Sequence, residues 1–151
     1  MHVPGALVLF ITRTPFPAGD ELVIADANFP SESIADAGPC PGGVVRMDGL
    51  DVPTVLKSVL HLMPLDQFVD EPAAVMQRVD EPSEAAPVWS KFQEACDASE
   101  GKAVSIERVE RFAFYERAKN AFGVIHTGET ALYGNIIIKK GVLTADQQTV
   151  V

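Results

Sequence analysis

Short apolar runs alternating with helical patterns predict an α/β fold, a single compact domain whose mostly buried sheet is covered by helices. Three observations lead there. Residues 22–25, Leu-Val-Ile-Ala, are apolar at every position and too few for a helix, the habit of a strand buried on both faces. Val52, Val55, Leu56, Val59, Leu60 and Met63 recur at the spacing of an amphipathic helix. The chain has 151 residues, 47% hydrophobic and 22% charged, which suits one domain that buries roughly two-thirds of its unfolded surface. No internal repeat is visible.

Taken in order, residues 1–18 are an atypical N-terminal segment. Pro4, Gly5, Pro15 and Pro17 punctuate the apolar run 6–11, no helical period survives them, and a short strand or a loosely packed arm is expected. Residues 21–25 form the first strand, and Asn28-Phe29-Pro30-Ser31 forces a turn after it. Residues 31–43, rich in Ser, Asp, Pro and Gly, read as a loop leading to a strand at 44–47. Asp51 is a good N-cap, with Pro53 tolerated in the first turn, and Pro64 stops the helix. His61 falls on its wet side. A strand at 73–79, an acidic proline-bearing loop at 80–87 and a helix at 88–96 follow. Then come a strand at 103–109, a helix at 110–122 closed by Gly123, and strands at 124–126 and 135–139. Residues 144–151 are a polar tail.

Charge and composition exclude several functions. A net charge of −9 argues against a nucleic-acid partner, which needs a basic face. The N-terminal apolar run is far shorter than the roughly 20 residues of a membrane span, and it lacks the basic flank and small-residue cleavage site of a signal peptide. A soluble, cytoplasmic protein with no membrane contact is expected. Cys40 and Cys96 share no motif and read as free thiols. The three histidines show no ligand spacing, so no metal is inferred. No phosphate-cradling glycine pattern follows a strand, so no nucleotide cofactor is expected.

The candidate chemistry lies at the ends of regular elements. Asp26, just past the first strand, can accept hydrogen bonds from hydroxyl groups or simply cap the turn at Asn28. In Tyr133-Gly134-Asn135 the glycine permits close backbone approach, and the phenol and amide offer donors and acceptors. The alternative is a packed loop tyrosine and a turn-satisfying amide. Arg111 and Tyr115 are one helical turn apart on one face, and Arg111 can bind a ligand oxygen or pair with Glu107 or Glu110. Asp66, beyond the proline-stopped helix, is open in the same way. His126 begins the Thr-Gly-Glu loop and reads as an incidental strand-end residue, with a place near the pocket as the alternative. Lys139-Lys140 reads as an exposed edge pair. The set suits polyol binding and lacks the nucleophile–base pair of acyl chemistry.

The segments GDELVIADANFPS, RMDGLDVPTVLKSVLHLMPLDQF, EPAAVM and ERFAFYERAKNAFGVIHTGETALYGNIIIKKGV resemble the fucose mutarotase family, related to the ribose pyranases, and within it the animal branch. The resemblance covers residues 19–143. It implies a cofactor-free isomerase that interconverts the α and β anomers of L-fucose and assembles into a ring-like homo-oligomer with sites near subunit interfaces. It assigns sugar contacts to Asp26, Arg111, Tyr133, Gly134 and Asn135, and catalytic roles to Tyr115 and Asp66.

One departure stands out. Where the family has Gly-His-Gly-Asp, this chain has Pro17-Ala18-Gly19-Asp20, so Ala18 replaces the expected proton donor. The family's leading helix is also replaced, by a segment that reads as an alternative first exon or a mis-assigned start. The resemblance therefore implies impaired activity. Two alternatives stay open, a non-catalytic fucose-binding or oligomer subunit and a ribose pyranase. Without a covering helix the sheet would expose apolar surface, so lower stability and incomplete assembly are expected.

Overall fold

β1 (Glu21–Ala25), β2 (Gly43–Met47), β3 (Ala73–Met76), β4 (Ile106–Val109), β5 (Gly123–Thr127) and β6 (Ile136–Lys139) form one sheet in the order β2-β5-β1-β6-β3-β4. β1, β5 and β2 are mutually parallel, as are β3 and β4, and β6 runs antiparallel between β1 and β3. The computed structural model describes residues 2–13 and 16–143, with residues 12 and 13 described by their backbone alone. The polar tail expected at 144–151 lies outside the described residues.

Two helical layers cover the sheet. α1 (Gly5–Arg13), α3 (Val52–Leu62) and α4 (Trp89–Glu100) pack on the face that carries Leu22, Ile24, Ile125, Ile136 and Ile138. α2 (Ser31–Ala37) and α5 (Arg111–Lys119) pack on the face of Val23, Ala25, Val124 and Ile137. Strand side chains alternate between the faces, so a strand sandwiched between two layers must be apolar throughout. That is why residues 22–25 contain no polar position, and the predicted α/β class stands.

Local chemistry explains the helix boundaries. Asp51 caps α3, its Oδ1 accepting from the Thr54 amide at 2.9 Å, with a proline in the first turn. Glu110 caps α5 by accepting from the Phe112 and Ala113 amides, each at 3.0 Å. Arg117 then ties α5 to the sheet. Its guanidinium reaches Glu21 on β1 at 2.6 Å and Glu107 on β4 at 2.9 Å, and these carboxylates hold its pKa above the ordinary arginine value. β3 and β4 are shorter than the sequence suggests, and α4 runs on to Glu100, closed by the left-handed Gly101.

The N-terminal segment is a correction. Instead of a strand or an arm it forms α1, started where the Pro4 carbonyl accepts from the Leu7 and Val8 amides at 3.0 and 3.1 Å. Leu7, Phe10 and Ile11 are buried at helical spacing. The Phe10 ring lies over Gly42 and Gly123, where a Cβ would meet it at 2.8 and 2.6 Å. Phe10 and Phe16 both contact Phe122, with ring centroids at 5.7 and 4.5 Å. The sheet face is therefore covered, and the expectation of exposed core surface does not hold. Phe10→Ala is expected to cost about 3–5 kcal/mol through the cavity it leaves, read as a lower urea midpoint at unchanged slope.

The supposed loop at 31–43 is the second correction, since its first half is α2. Composition conceals this helix, because it is short and polar with one buried apolar anchor, Ile34. It lies so close to α5 that a Cβ on Gly38 would overlap the Lys119 carbonyl.

Candidate functional site

A cavity of about 370 Å³ opens where β1 and β3 end and β6 begins, within the range of small-ligand sites. Asp26 follows β1, Met76 ends β3, Asn135 precedes β6, and Arg111 and Tyr115 reach in from the first turns of α5. Crevices beyond strand carboxyl ends, where connections diverge, are where open α/β sheets bind ligands.

Asp26 is 7% exposed. Its amide donates to Asn135 Oδ1 at 2.7 Å, and its Oδ1 accepts from the Asn28 amide at 3.1 Å. Burial pushes its carboxyl pKa up, while hydrogen bonds from the Asn28, Phe29 and Gly134 backbone and from the Asn135 amide oppose that shift. A carboxyl moved toward neutrality is a better proton carrier near physiological pH. The Thr-Gly-Glu turn braces the same loop. Thr127 Oγ1 donates to the Ala25 carbonyl at 2.7 Å, and the Ala27 amide donates to the Glu129 carbonyl at 2.8 Å.

Tyr133 has φ +56°, a left-handed conformation that a bulky residue adopts only when its surroundings hold it there. Three hydrogen bonds do so. The Val79 amide donates to its hydroxyl at 3.0 Å, the hydroxyl donates to Asp80 Oδ1 at 3.2 Å, and Trp89 Nε1 donates to its carbonyl at 3.0 Å. Gly134 is required sterically. A Cβ there would lie 2.9 Å from the Ala131 carbonyl oxygen and from Glu129 Cγ, and 3.6 Å from Asp26 Cβ. Gly134→Ala is expected to destabilise the fold by about 1–3 kcal/mol, as denaturant titration would show.

The open choices for Arg111 resolve on geometry. Glu107 is engaged by Arg117 and Glu110 by its own helix amides, so neither pairs with it. Among the described residues Arg111 makes no ion pair, and its guanidinium lies 5.8 Å from the ring centroids of both Phe112 and Tyr115. The exposed guanidinium, with the Tyr115 side chain as its leading neighbour and no carboxylate paired to it, keeps donors for a ligand oxygen.

Asp66 is not brought to this cavity. Its amide donates to the Lys139 carbonyl at 2.9 Å and its Oδ1 accepts from the Phe68 amide at 2.9 Å, which places it beside the amino end of β1. It lines a separate cleft of about 140 Å³. Ala18 lies at that same far end and is exposed. Five strand residues, each rising roughly 3.3 Å, separate its end of β1 from Asp26, about 17 Å in all. Lys139 and Lys140 are half-buried there, Lys140 Nζ donating to the Phe16 carbonyl at 2.5 Å.

Sequence reasoning missed Asp80, Asn28, Phe29 and Met76 in the cavity wall. A carboxylate following a strand, the pattern that singles out Asp26, also describes Asp80. The neighbouring Arg78 guanidinium, 2.8 Å away, and the Tyr133 hydroxyl hold the Asp80 carboxyl down to about 2. Asp80 is thus a permanent acceptor at neutral pH. His126 is buried and bonded to Ser31, 2.7 Å away, and does not line the cavity.

A sheet covered by helices on both faces, with carboxylate, amide, phenol and guanidinium groups converging on a small cavity at its strand ends, has the make-up of a site for a small polar ligand. The family model described as the RbsD / FucU transport protein family matches residues 17–143. "Fucose mutarotase" of Mus musculus is 50% identical over 128 residues, 83% of this chain and 81% of its own length. The solved structure of FucU from Bifidobacterium longum is 43% identical with a TM-score of 0.81, covering 94% of this chain and 96% of its own. That of the Streptococcus pneumoniae fucose mutarotase in complex with L-fucose is 37% identical with a TM-score of 0.80, covering 95% and 99%. The chain belongs to the RbsD / FucU family.

Proposed function

We propose that the protein is an L-fucose mutarotase, an isomerase that interconverts the α and β anomers of the sugar. The observation that carries this reading is the convergence of Asp26, Arg111, Tyr115, Tyr133 and Asn135 on one cavity. All five are residues that the family resemblance assigns to the sugar site. Similarity to relatives named for fucose favours fucose over ribose.

Mutarotation adds a proton to the ring oxygen and removes one from the anomeric hydroxyl. The ring opens to the free aldehyde, the carbonyl face rotates, and closure returns both protons. Asp26, with its raised pKa, is a carrier for one of these transfers. Tyr115 is the hydroxyl partner beside Arg111, which binds sugar oxygen. Asn135 offers its amide group, and Gly134 lets the backbone approach. Asp66 has no part within one subunit.

Ala18 cannot transfer a proton, and even a histidine at that position would lie about 17 Å from its own chain's Asp26. The two sets of residues can meet only between subunits. A head-to-tail contact that brings the amino end of β1 in one copy to the cavity of the next is heterologous, and such contacts form a ring when the rotation between copies closes. Large apolar side chains stand exposed at both ends, Phe68 at 83% near Asp66 and Leu132 at 75% on the cavity wall, which supports a ring-like homo-oligomer. No helix among the described residues is long and apolar enough to cross a membrane, in keeping with a cytoplasmic enzyme.

Saturation-transfer NMR tests the reading with L-fucose and D-ribose side by side. Fucose exchange faster than in buffer is expected, with light scattering giving a mass above the monomer. Binding without acceleration would make the chain a non-catalytic fucose binder, and equal or greater acceleration of ribose would make it a ribose pyranase.

A further inference from the structure

Ser31 and His126 are 95 residues apart, 2% and 9% exposed, and joined by a 2.7 Å contact between Ser31 Oγ and His126 Nδ1. His126 stands on β5, level with Ala25 of β1 and Arg46 of β2. Ser31 is the first residue of α2. The contact survives either ring tautomer, since the serine hydroxyl can donate or accept. It is not the start of a nucleophilic triad. Ser31 does not line the cavity, and no carboxylate orients the imidazole among the described residues.

Its location gives it another use. The loop between Asp26 and Ser31 carries Asn28 and Phe29 into the cavity wall. At its start it is fixed by Asp26, which receives the Asn28 amide on its carboxylate and the Phe29 amide, at 3.3 Å, on its carbonyl. In the middle, the Phe29 ring meets Tyr115 and Phe114 at 5.7 and 6.1 Å between centroids. At its end the chain enters α2, which has Pro30 at its N-cap and no side-chain cap. The Ser31 hydroxyl is therefore the polar tie that holds the loop's far end to the sheet.

We infer that Ser31 and His126 form a positioning pair for the sugar site, setting the Asn28–Phe29 loop against Asp26 and Tyr115. This rests on the mutarotase reading. The pair touches no substrate and moves no proton; it sets how tightly the cavity closes on the sugar. Removing it loosens binding and leaves the chemical step intact.

The test compares Ser31→Ala, His126→Ala, the double variant and His126→Asn, whose side chain keeps a hydrogen-bonding atom where Nδ1 was. Calorimetry gives the Kd for L-fucose, and saturation-transfer NMR gives KM and kcat. Each alanine variant is expected to raise Kd and KM by about 3- to 10-fold, the range of one net hydrogen bond, with kcat within about 2-fold. The double variant should be no worse than the weaker single, because the two residues act through one contact. His126→Asn should recover much of the loss. Unchanged Kd and KM in all four variants, even with lowered melting temperatures, overturn the inference, as does strict additivity in the double variant. Fucose handled equally well by every variant refutes the positioning role alone, whereas an unaltered chain that neither binds nor exchanges fucose refutes the mutarotase reading with it.

Discussion

Ala18→His is expected to accelerate fucose anomer exchange by about 10²–10⁴-fold, the usual contribution of one positioned acid or base. Position 18 is exposed, so the substitution itself should change stability by no more than about 0.5 kcal/mol. The gain carries a condition imposed by geometry. The histidine would stand at the amino end of β1 and the cavity at its carboxyl end, so in the proposed head-to-tail arrangement it would serve a neighbouring subunit. Exchange per subunit, measured by saturation-transfer NMR over a dilution series, should therefore rise with the assembled fraction. A gain that persists in isolated monomers, or no gain in assembled protein, contradicts the head-to-tail arrangement. The unaltered chain should sit at the low end, binding fucose while exchanging it slowly.

Asp26→Asn is expected to lower the exchange rate by about 10²–10⁴-fold for the same reason, without unfolding the protein. Asparagine keeps an Oδ1 to accept from the Asn28 amide, so the turn persists. The stability change should have the opposite sign to that of most buried substitutions. Burial raises the folded-state pKa of Asp26 above its unfolded value, so the folded protein holds this proton more tightly. That contribution is fully present below the unfolded value, near pH 3.8, and is lost as pH rises through the folded pKa. At neutral pH the aspartate is thus a burden that asparagine removes. Denaturant midpoints for the pair should be equal, or favour Asp26→Asn, at pH 7, and the difference should narrow on acidification toward pH 4. A large loss of stability at pH 7 contradicts the burial argument.

Much of the fold is legible in the chain because its signals are local. A four-residue run without a polar position marks β1, and the Asp51 cap, the helical period and Pro64 mark α3. The candidate groups Asp26, Tyr133 and Asn135 are visible for the same reason, since each sits where a strand meets a turn. What escapes is whatever depends on a distant contact. Residues 6–11 are apolar throughout and carry no readable period, so the choice of helix belongs to the Pro4 carbonyl and to the sheet surface that takes up Leu7, Phe10 and Ile11. α2 is hidden in a polar segment because its partners are Lys119 and His126, some 80 to 95 residues away.

The site divides along the same line. Sequence by itself determined which residue types stand at the strand ends, and through the family motifs it pointed to a sugar. It also determined that position 18 carries no proton donor. Only the tertiary structure decided that Arg111 makes no ion pair among the described residues, because Glu107 is drawn to Arg117 and Glu110 to the amides of its own helix. Only the tertiary structure separated Asp66 from Asp26 and added Asp80. The reason is the direction of the strands: residues that read as one motif in the chain lie at opposite ends of β1 once it is extended, and nothing local to the sequence records which end faces the cavity.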